Sequence, residues 1–299
     1  METLLGGLTP DTSRRQAMRL LAEAFTRAGI DEAAIDARLL LCAAAGFDHS
    51  ALIRDPDLPI EEEAAELALI MARRRLAREP VSRILGERSF WSFDLLVTPA
   101  VLDPRPDTET VVDGALEVLA ERQGEALSIL DLGTGSGAML CALLDVFPQA
   151  QGLGVDISKE ACAVARENLS RCELAPRGQV RQGSWEAGLP GPQDRLYDLV
   201  VSNPPYIESA ALAGLDPEVR LYDPPLALDG GPDGLTAYRD ICALLPALVA
   251  PGGFAIFEVG QGQAEAVAAL LTSQGFADVR AKRDLAGVER AVMGQRVAG

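Results

Sequence analysis

At 299 residues with 48% hydrophobic content, the chain has room for one medium domain and a smaller one. No run approaches the roughly 20 apolar residues of a membrane span, and Met1 to Asp11 lacks a basic start followed by an apolar run, so a soluble cytoplasmic protein without a membrane partner is expected. The formal charge of −17, the single histidine (His49) and five scattered cysteines with no C-x-x-C pair argue against a polynucleotide-wrapping protein, imidazole-based triads, a disulfide framework and a zinc site.

Residues 1–86 read as helices. "SRRQAMRLLAEAFTRAG" (13–29) opens at a capping serine and closes at a glycine, "DEAAIDARLLLCAAAG" (31–46) repeats the pattern, and "PIEEEAAELALIMARRRLAREP" (59–80) runs from acidic to basic residues as a helix dipole prefers. The basic run "RRRLAR" (73–78) predicts a solvated helix end, or a surface for an acidic partner. His49 reads as a surface loop residue.

"RSFWSFDLLVTPAVLDPRPDTE" (88–109) is aromatic and β-branched with three proline breaks, which predicts a β-hairpin or extended connector over 87–107. From residue 108 to 299 helix and strand patterns alternate, with strands expected at 126–133, 151–158, 179–184, 197–203 and 252–260. The fold class that follows is α/β: a Rossmann-like, mostly parallel sheet covered on both faces, preceded by a small helical bundle.

"ILDLGTGSGAM" (129–139) places glycines at alternate positions between a strand and a helix. Such a loop lets backbone approach a ligand, and the helix start offers N–H groups to an anionic group. Gly133-x-Gly135-x-x-Ala138 also satisfies the dinucleotide fingerprint. Asp131 favours S-adenosylmethionine, because a carboxylate beside the loop suits an ammonium and repels a pyrophosphate. Asp156, at the end of the second strand, suits ribose hydroxyls in either cofactor, and Trp185 in "GSWE" (183–186) can pack near the adenine or the methionine chain. Plain capping of turns by the two aspartates and core packing by the tryptophan are the alternatives.

"SNPPYI" (202–207) ends the fourth strand beside that loop. Asn203 carries a donor and an acceptor, while Pro204 and Pro205 fix the backbone so that the Pro204 carbonyl can point into the site. Two acceptors, the Asn203 side-chain oxygen and the Pro204 carbonyl, can hold both hydrogens of a planar NH₂ group and aim its nitrogen at a sulfonium methyl. Tyr206 is expected to wall the flat acceptor group.

With these residues in view, the chain resembles the protein-(glutamine-N5) methyltransferases that act on peptide-chain release factors, the PrmC/HemK family. The resemblance is carried by 79–109, "DLGTGSGA" (131–138), "GVD" (154–156), "GSW" (183–185), "VSNPPYI" (201–207), "YDPPLALDGGPDGLTAYRDI" (222–241), "LVAPGGFAIFEVGQGQ" (248–263) and "DLAGVERAV" (284–292). Asn-Pro-Pro-Tyr alone is shared with nucleic-acid amino-methyltransferases. The resemblance implies methyl transfer from S-adenosylmethionine, with S-adenosylhomocysteine as product, to the glutamine of the Gly-Gly-Gln tip of class 1 release factors. Carried over, Gly133, Thr134, Gly135, Ser136, Gly137, Asp156, Trp185 and Asn203 contact cofactor, Asn203 to Tyr206 hold the glutamine, and residues 1–86 meet the release factor. Asp103 departs from the family's usual aliphatic residue; Arg105 and Glu109 lie in the matched stretch, and a domain-junction salt bridge or closure of the substrate pocket are their two readings. The rival activity is exocyclic-amine methylation of DNA or RNA, and a non-enzymatic rival binds a translation partner only. Charge speaks against nucleic acid: 11 basic and 14 acidic residues in 1–86, and 16 against 30 in the rest.

Overall fold

The computed structural model describes residues 5–185 and 196–297; Glu186, the last residue of the GSWE motif, lies outside them. The chain divides into two compact units, one running to Gly86 and including Pro217–Tyr222, the other holding Glu87–Asp216 and Asp223 onward. The first unit contains α1 (Arg14–Arg27), α2 (Ala33–Ala45), α3 (His49–Arg54), α4 (Glu62–Leu76) and α5 (Val81–Leu85). Ser13 caps α1 by accepting from the Gln16 N–H, and Gly46, with φ 63°, ends α2. Leu21, Phe25, Leu40, Leu41, Ala68 and Ala72 close a core among these helices. His49 is exposed, but it opens the six-residue α3 behind the cap of Asp48 and is not a loop residue.

The second unit begins with an antiparallel hairpin, β1 (Glu87–Phe90) and β2 (Phe93–Leu96), turning at Trp91 with φ 55°. Glu109 secures that turn, since its Oε1 accepts from the Trp91 N–H at 2.8 Å. There follow α6 (Glu109–Val118), β3 (Ser128–Leu132), α7 (Ala138–Val146), β4 (Gln151–Asp156), α8 (Lys159–Arg171), β5 (Gly178–Gln182) and β6 (Tyr197–Ser202). After α9 (Pro217–Tyr222), which belongs to the first unit, come α10 (Thr236–Leu248), β7 (Val249–Glu258), α11 (Ala264–Ser273), β8 (Phe276–Arg283) and β9 (Glu289–Arg296).

The seven strands pair in the order β5-β4-β3-β6-β7-β9-β8. The first five are parallel, and β9 runs antiparallel to both its neighbours. Alternation along the strands divides the core in two. Ile129, Leu199, Val201 and Ile256 face Val111, Val112, Leu140 and Leu143, whereas Leu130, Leu132, Val200 and Phe257 face Tyr238, Ile241, Leu245 and Val267. Each such side chain contributes about 1.5–3 kcal/mol by leaving water. The chain passes outward from β3 to β4 to β5 and then returns to β6 on the other side of β3, so the loops after β3 and β6 part company next to each other. Leu132 pairs with Ser202 there, and the Ser202 hydroxyl donates to the Leu132 carbonyl at 2.7 Å. Among the described residues no helix is long and apolar enough to cross a membrane.

The basic run 73–78 is solvated only in part: Arg73 is exposed, whereas the other arginines are paired. Arg74 donates twice to Glu79, at 2.8 and 2.6 Å. Arg75, only 7% exposed, is held between Asp36 at 2.7 Å and Glu218 at 3.0 Å, and Arg78 reaches the same Glu218 at 3.0 Å. The Tyr222 hydroxyl also donates to the Ala77 carbonyl at 2.9 Å. These charges bind α9 into the helical unit.

Candidate active site

A cleft of about 470 Å³ opens at the carboxyl ends of β3, β4 and β6. Gly133, Thr134, Gly135 and Ser136 line it, with Asp156, Trp185, Asn203 and Pro205. Asp131, Gly137, Pro204 and Tyr206 do not line it, although each touches a residue that does or adjoins one in sequence.

The glycine loop adopts φ of 73°, 53° and 80° at Gly133, Gly135 and Gly137, a left-handed path that side chains disfavour. Four of its amides are engaged within the protein. The N–H groups of Gly133 and Thr134 both go to the Val155 carbonyl, that of Gly135 to Asp156 Oδ2, and that of Gly137 to the Thr134 carbonyl. The loop's own glycine amides are thus largely spent on holding its shape, and the helix start at Ala138 follows directly after them. Asp131 is fully buried under the loop: Thr134 Oγ1 donates to its Oδ2 at 2.7 Å, while Oδ1 has no hydrogen-bond partner. Burial pushes its carboxyl up to about 7 against the Thr134 hydrogen bond, and the neighbouring Asp156 charge adds to the rise. The Leu140 backbone N–H also supports the carboxyl, and a buried acidic group beneath the loop suits a cationic group bound above it. Asp156 caps two amides, Gly135 N–H at 2.9 Å and Ser158 N–H at 2.8 Å, and lines the cleft at the same time. Trp185 lies across Gly133, where an added methyl group would meet the indole at 3.3 Å. A cleft of this size holds a nucleoside cofactor, and the donor set suits S-adenosylmethionine: acceptors for hydroxyls and an ammonium, with an indole for a flat or apolar portion.

At the end of β6 the Asn203 Nδ2 donates to Thr108 Oγ1 at 3.3 Å. Pro204 is buried, and Pro205 faces the cleft. The Tyr206 hydroxyl donates to Glu258 Oε1 at 3.2 Å, which anchors the half-buried ring next to the cleft-lining Pro205. Burial raises the Tyr206 hydroxyl well above its ordinary value, with the Glu258 charge adding to the effect. The backbone of this stretch is clamped from two sides. The Ile207 N–H donates to the Leu228 carbonyl at 3.0 Å, and the Gly230 N–H donates to the Ile207 carbonyl at 2.8 Å. Gln263 Nε2 donates to the carbonyls of Tyr206 at 3.0 Å and Gly234 at 3.3 Å, while its Oε1 accepts from the Gly260 N–H at 3.0 Å. Only glycine fits at Gly230, because a methyl group there would lie 2.7 Å from the Tyr206 Cα and 2.8 Å from the Pro205 carbonyl oxygen.

Sequence reasoning missed Thr108, Ala100, Val101, Leu102, Pro104, Pro224, Leu226 and Ala227, all of which line the cleft, as does Arg105. Thr108 and its neighbours lie inside the segments whose resemblance was most specific, and that specificity was the available signal. Arg105 reaches Asp223 at 2.8 Å, and the Asp103 N–H donates to the same carboxylate at 3.4 Å. Both contacts fall within the larger unit, so Arg105 and Glu109 are partners inside that unit.

Residues 16–86 match the PrmC N-terminal domain family and residues 108–214 the methyltransferase small domain family. The chain is 47% identical to the release factor glutamine methyltransferase of Rhodospirillum rubrum over 300 residues, covering 98% of this chain and 90% of that protein. It is 46% identical to the Bradyrhizobium diazoefficiens enzyme of the same name over 287 residues, covering 95% of each. For the Caulobacter vibrioides relative, also a release factor glutamine methyltransferase, the identity is 45% over 267 residues, 89% of this chain and 91% of the relative. The cleft at the ends of β3 and β6 therefore belongs to a chain that is a member of the release factor glutamine methyltransferase family.

Proposed function

We propose that this chain transfers a methyl group from S-adenosylmethionine to the side-chain amide nitrogen of the glutamine in the Gly-Gly-Gln tip of class 1 peptide-chain release factors, leaving S-adenosylhomocysteine. The observation that carries the reading is the pairing of Asn203: its Nδ2 donates to Thr108, which leaves the Oδ1 of this cleft-lining residue as an acceptor for an incoming N–H. An amide nitrogen is a feeble nucleophile because its lone pair is delocalised. Gripping its two hydrogens with Asn203 Oδ1 and the Pro204 carbonyl fixes the nitrogen in one direction, and such positioning can supply about 7–11 kcal/mol. The cofactor, when bound, supplies an electrophilic methyl on a sulfonium that departs as a neutral thioether.

The protein's own groups have separable tasks. Asp156 receives ribose hydroxyls while its amide bonds hold it still, Asp131 offers negative charge below the loop, and Trp185 covers the apolar portion of the cofactor. The Gln263 and Gly230 clamp sets the course of the Pro204–Tyr206 backbone. No strong base is needed before transfer, since the proton can leave to water afterwards. The helical unit up to Gly86 contacts the release factor, and a translation substrate places the reaction in the cytoplasm. Neither portion of the chain carries net positive charge, in keeping with a protein substrate and not a polynucleotide.

Transfer of labelled methyl from S-adenosylmethionine tests this. Label should enter purified release factor, fail to enter a version with Gln→Ala in the Gly-Gly-Gln tip, and stay out of DNA and RNA. No label on the wild-type factor, or label on adenine, defeats the proposal.

A further inference from the structure

We propose that Thr108, backed by Glu258, sets the sense of the Asn203 side-chain amide, so that its oxygen and not its NH₂ is presented to the substrate. The inference rests on the reading that Asn203 holds the glutamine amide, and it adds two positioning residues to that reading.

The four groups form a polar chain through the cleft wall. Asn203 and Thr108 line the cleft; Glu258, at the end of β7 and 2% exposed, lies behind them. The Asn203 Nδ2 donates to Thr108 Oγ1 at 3.3 Å. The Tyr206 hydroxyl donates to Glu258 Oε1 at 3.2 Å, and Thr108 approaches the same carboxyl, where it opposes the effect of burial. Glu258 Oε2 has no hydrogen-bond partner. The backbone at Glu258 is itself pinned, because the buried Tyr238 hydroxyl donates to its carbonyl at 2.7 Å.

Donor and acceptor chemistry gives this chain one direction. An ionised carboxylate only accepts, whereas a threonine hydroxyl has one hydrogen to give and lone pairs with which to accept. With its hydrogen turned toward Glu258, Thr108 can only accept from Asn203, and the amide must show it the NH₂ end. A flipped amide would set Oδ1 against a lone pair of Thr108 and aim its NH₂ at the NH₂ of the substrate. Buried mismatches of that kind are costly because nothing else satisfies the groups.

The charge state of Glu258 therefore matters. Burial pushes its carboxyl up to about 7, against the hydrogen bonds of Thr108 and Tyr206 and the charge of Arg290, with Asp107 pushing the other way. Arg290 on β9 is itself shared between Asp107 at 3.1 Å and Asp284 at 3.1 Å. When protonated, Glu258 can donate to Thr108, and the constraint on the Thr108 hydrogen is lost.

Steady-state methyl transfer to release factor at saturating S-adenosylmethionine, with calorimetric cofactor affinity alongside, tests the inference in Thr108→Val, Thr108→Ser and Glu258→Gln. Thr108→Val keeps the shape and should lower kcat by about 30- to 100-fold, with KM for the factor and cofactor affinity changed less than about threefold. Thr108→Ser should return kcat to within about threefold of wild type. Wild-type kcat should rise with pH as Glu258 ionises, and Glu258→Gln should lack the rise. A Thr108→Val enzyme within threefold of wild type, a Thr108→Ser enzyme as impaired as the valine variant, or a Glu258→Gln enzyme that keeps the pH rise overturns this inference alone. A wild type inactive on the glutamine overturns the substrate reading and this one with it.

Discussion

Gly230→Ala is a small change whose consequence can be worked out from distances. The new methyl group would stand 2.7 Å from the Tyr206 Cα, 2.8 Å from the Tyr206 carbonyl carbon and 2.8 Å from the Pro205 carbonyl oxygen. Carbon atoms attract at about 3.5 Å and beyond, so the backbone on one side must retreat by roughly 0.8 Å. All three opposing atoms are main chain, and no flexible side chain can absorb the displacement. Overpacking of this type costs about 1–3 kcal/mol of stability, and the stretch that moves carries Pro204 and adjoins Asn203. A misplacement near 1 Å at a positioning group lowers turnover about 100-fold. The cofactor loop at 133–137 and Asp156 lie on other elements, so cofactor affinity should stay within about threefold. Methyl transfer to release factor, calorimetry with S-adenosylmethionine and thermal unfolding together read out the three effects. A folded Gly230→Ala protein that turns over within threefold of wild type would refute the view that the 228–234 segment aligns the Asn-Pro-Pro-Tyr backbone.

Three further outcomes are expected. Asn203→Ala should cut kcat by at least about 100-fold while leaving cofactor affinity within a few-fold, because the loss is alignment of the acceptor; an active variant contradicts the role given to the amide. Asp131 holds a proton up to about pH 7 in the free protein, and a bound ammonium favours the ionised form. Cofactor binding should therefore release protons near pH 6, strengthen as pH rises toward 7, and lose both effects in Asp131→Asn; calorimetry in buffers of different ionisation enthalpy measures this, and zero proton release in the wild type contradicts it. Arg75→Ala leaves Asp36 and Glu218 without their shared cation and should cost about 3 kcal/mol in urea unfolding, whereas a change below about 1 kcal/mol would show that the network contributes little.

The parallel strands were legible because period-two patterns such as Ile129, Leu130 and Leu132 must serve two buried faces. β8 was not, since an edge strand that is mostly exposed carries Asp278, Arg280, Lys282 and Arg283 in place of β-branched residues. The chemistry residues in the loops after β3, β4 and β6 stood out because glycine, carboxylate and Asn-Pro-Pro have few structural uses in that order. Their surroundings did not. Whether the amides of 133–137 are open or engaged depends on where Val155 and Asp156 fall, and no local pattern gives that. Tyr206 is anchored by a partner 52 residues away, Glu258. Arg75 looked solvated because its two carboxylate partners come from α2 and from α9, the latter 143 positions along the chain.

The most direct measurement is a crystal structure of the protein with S-adenosylhomocysteine and a peptide containing Gly-Gly-Gln. Asn203 Oδ1 and the Pro204 carbonyl oxygen should each lie within hydrogen-bonding distance of the glutamine amide nitrogen, with that nitrogen facing the cofactor sulfur. An Asn203 side chain turned from the peptide, or one that offers its NH₂ to the glutamine, would contradict the mechanism.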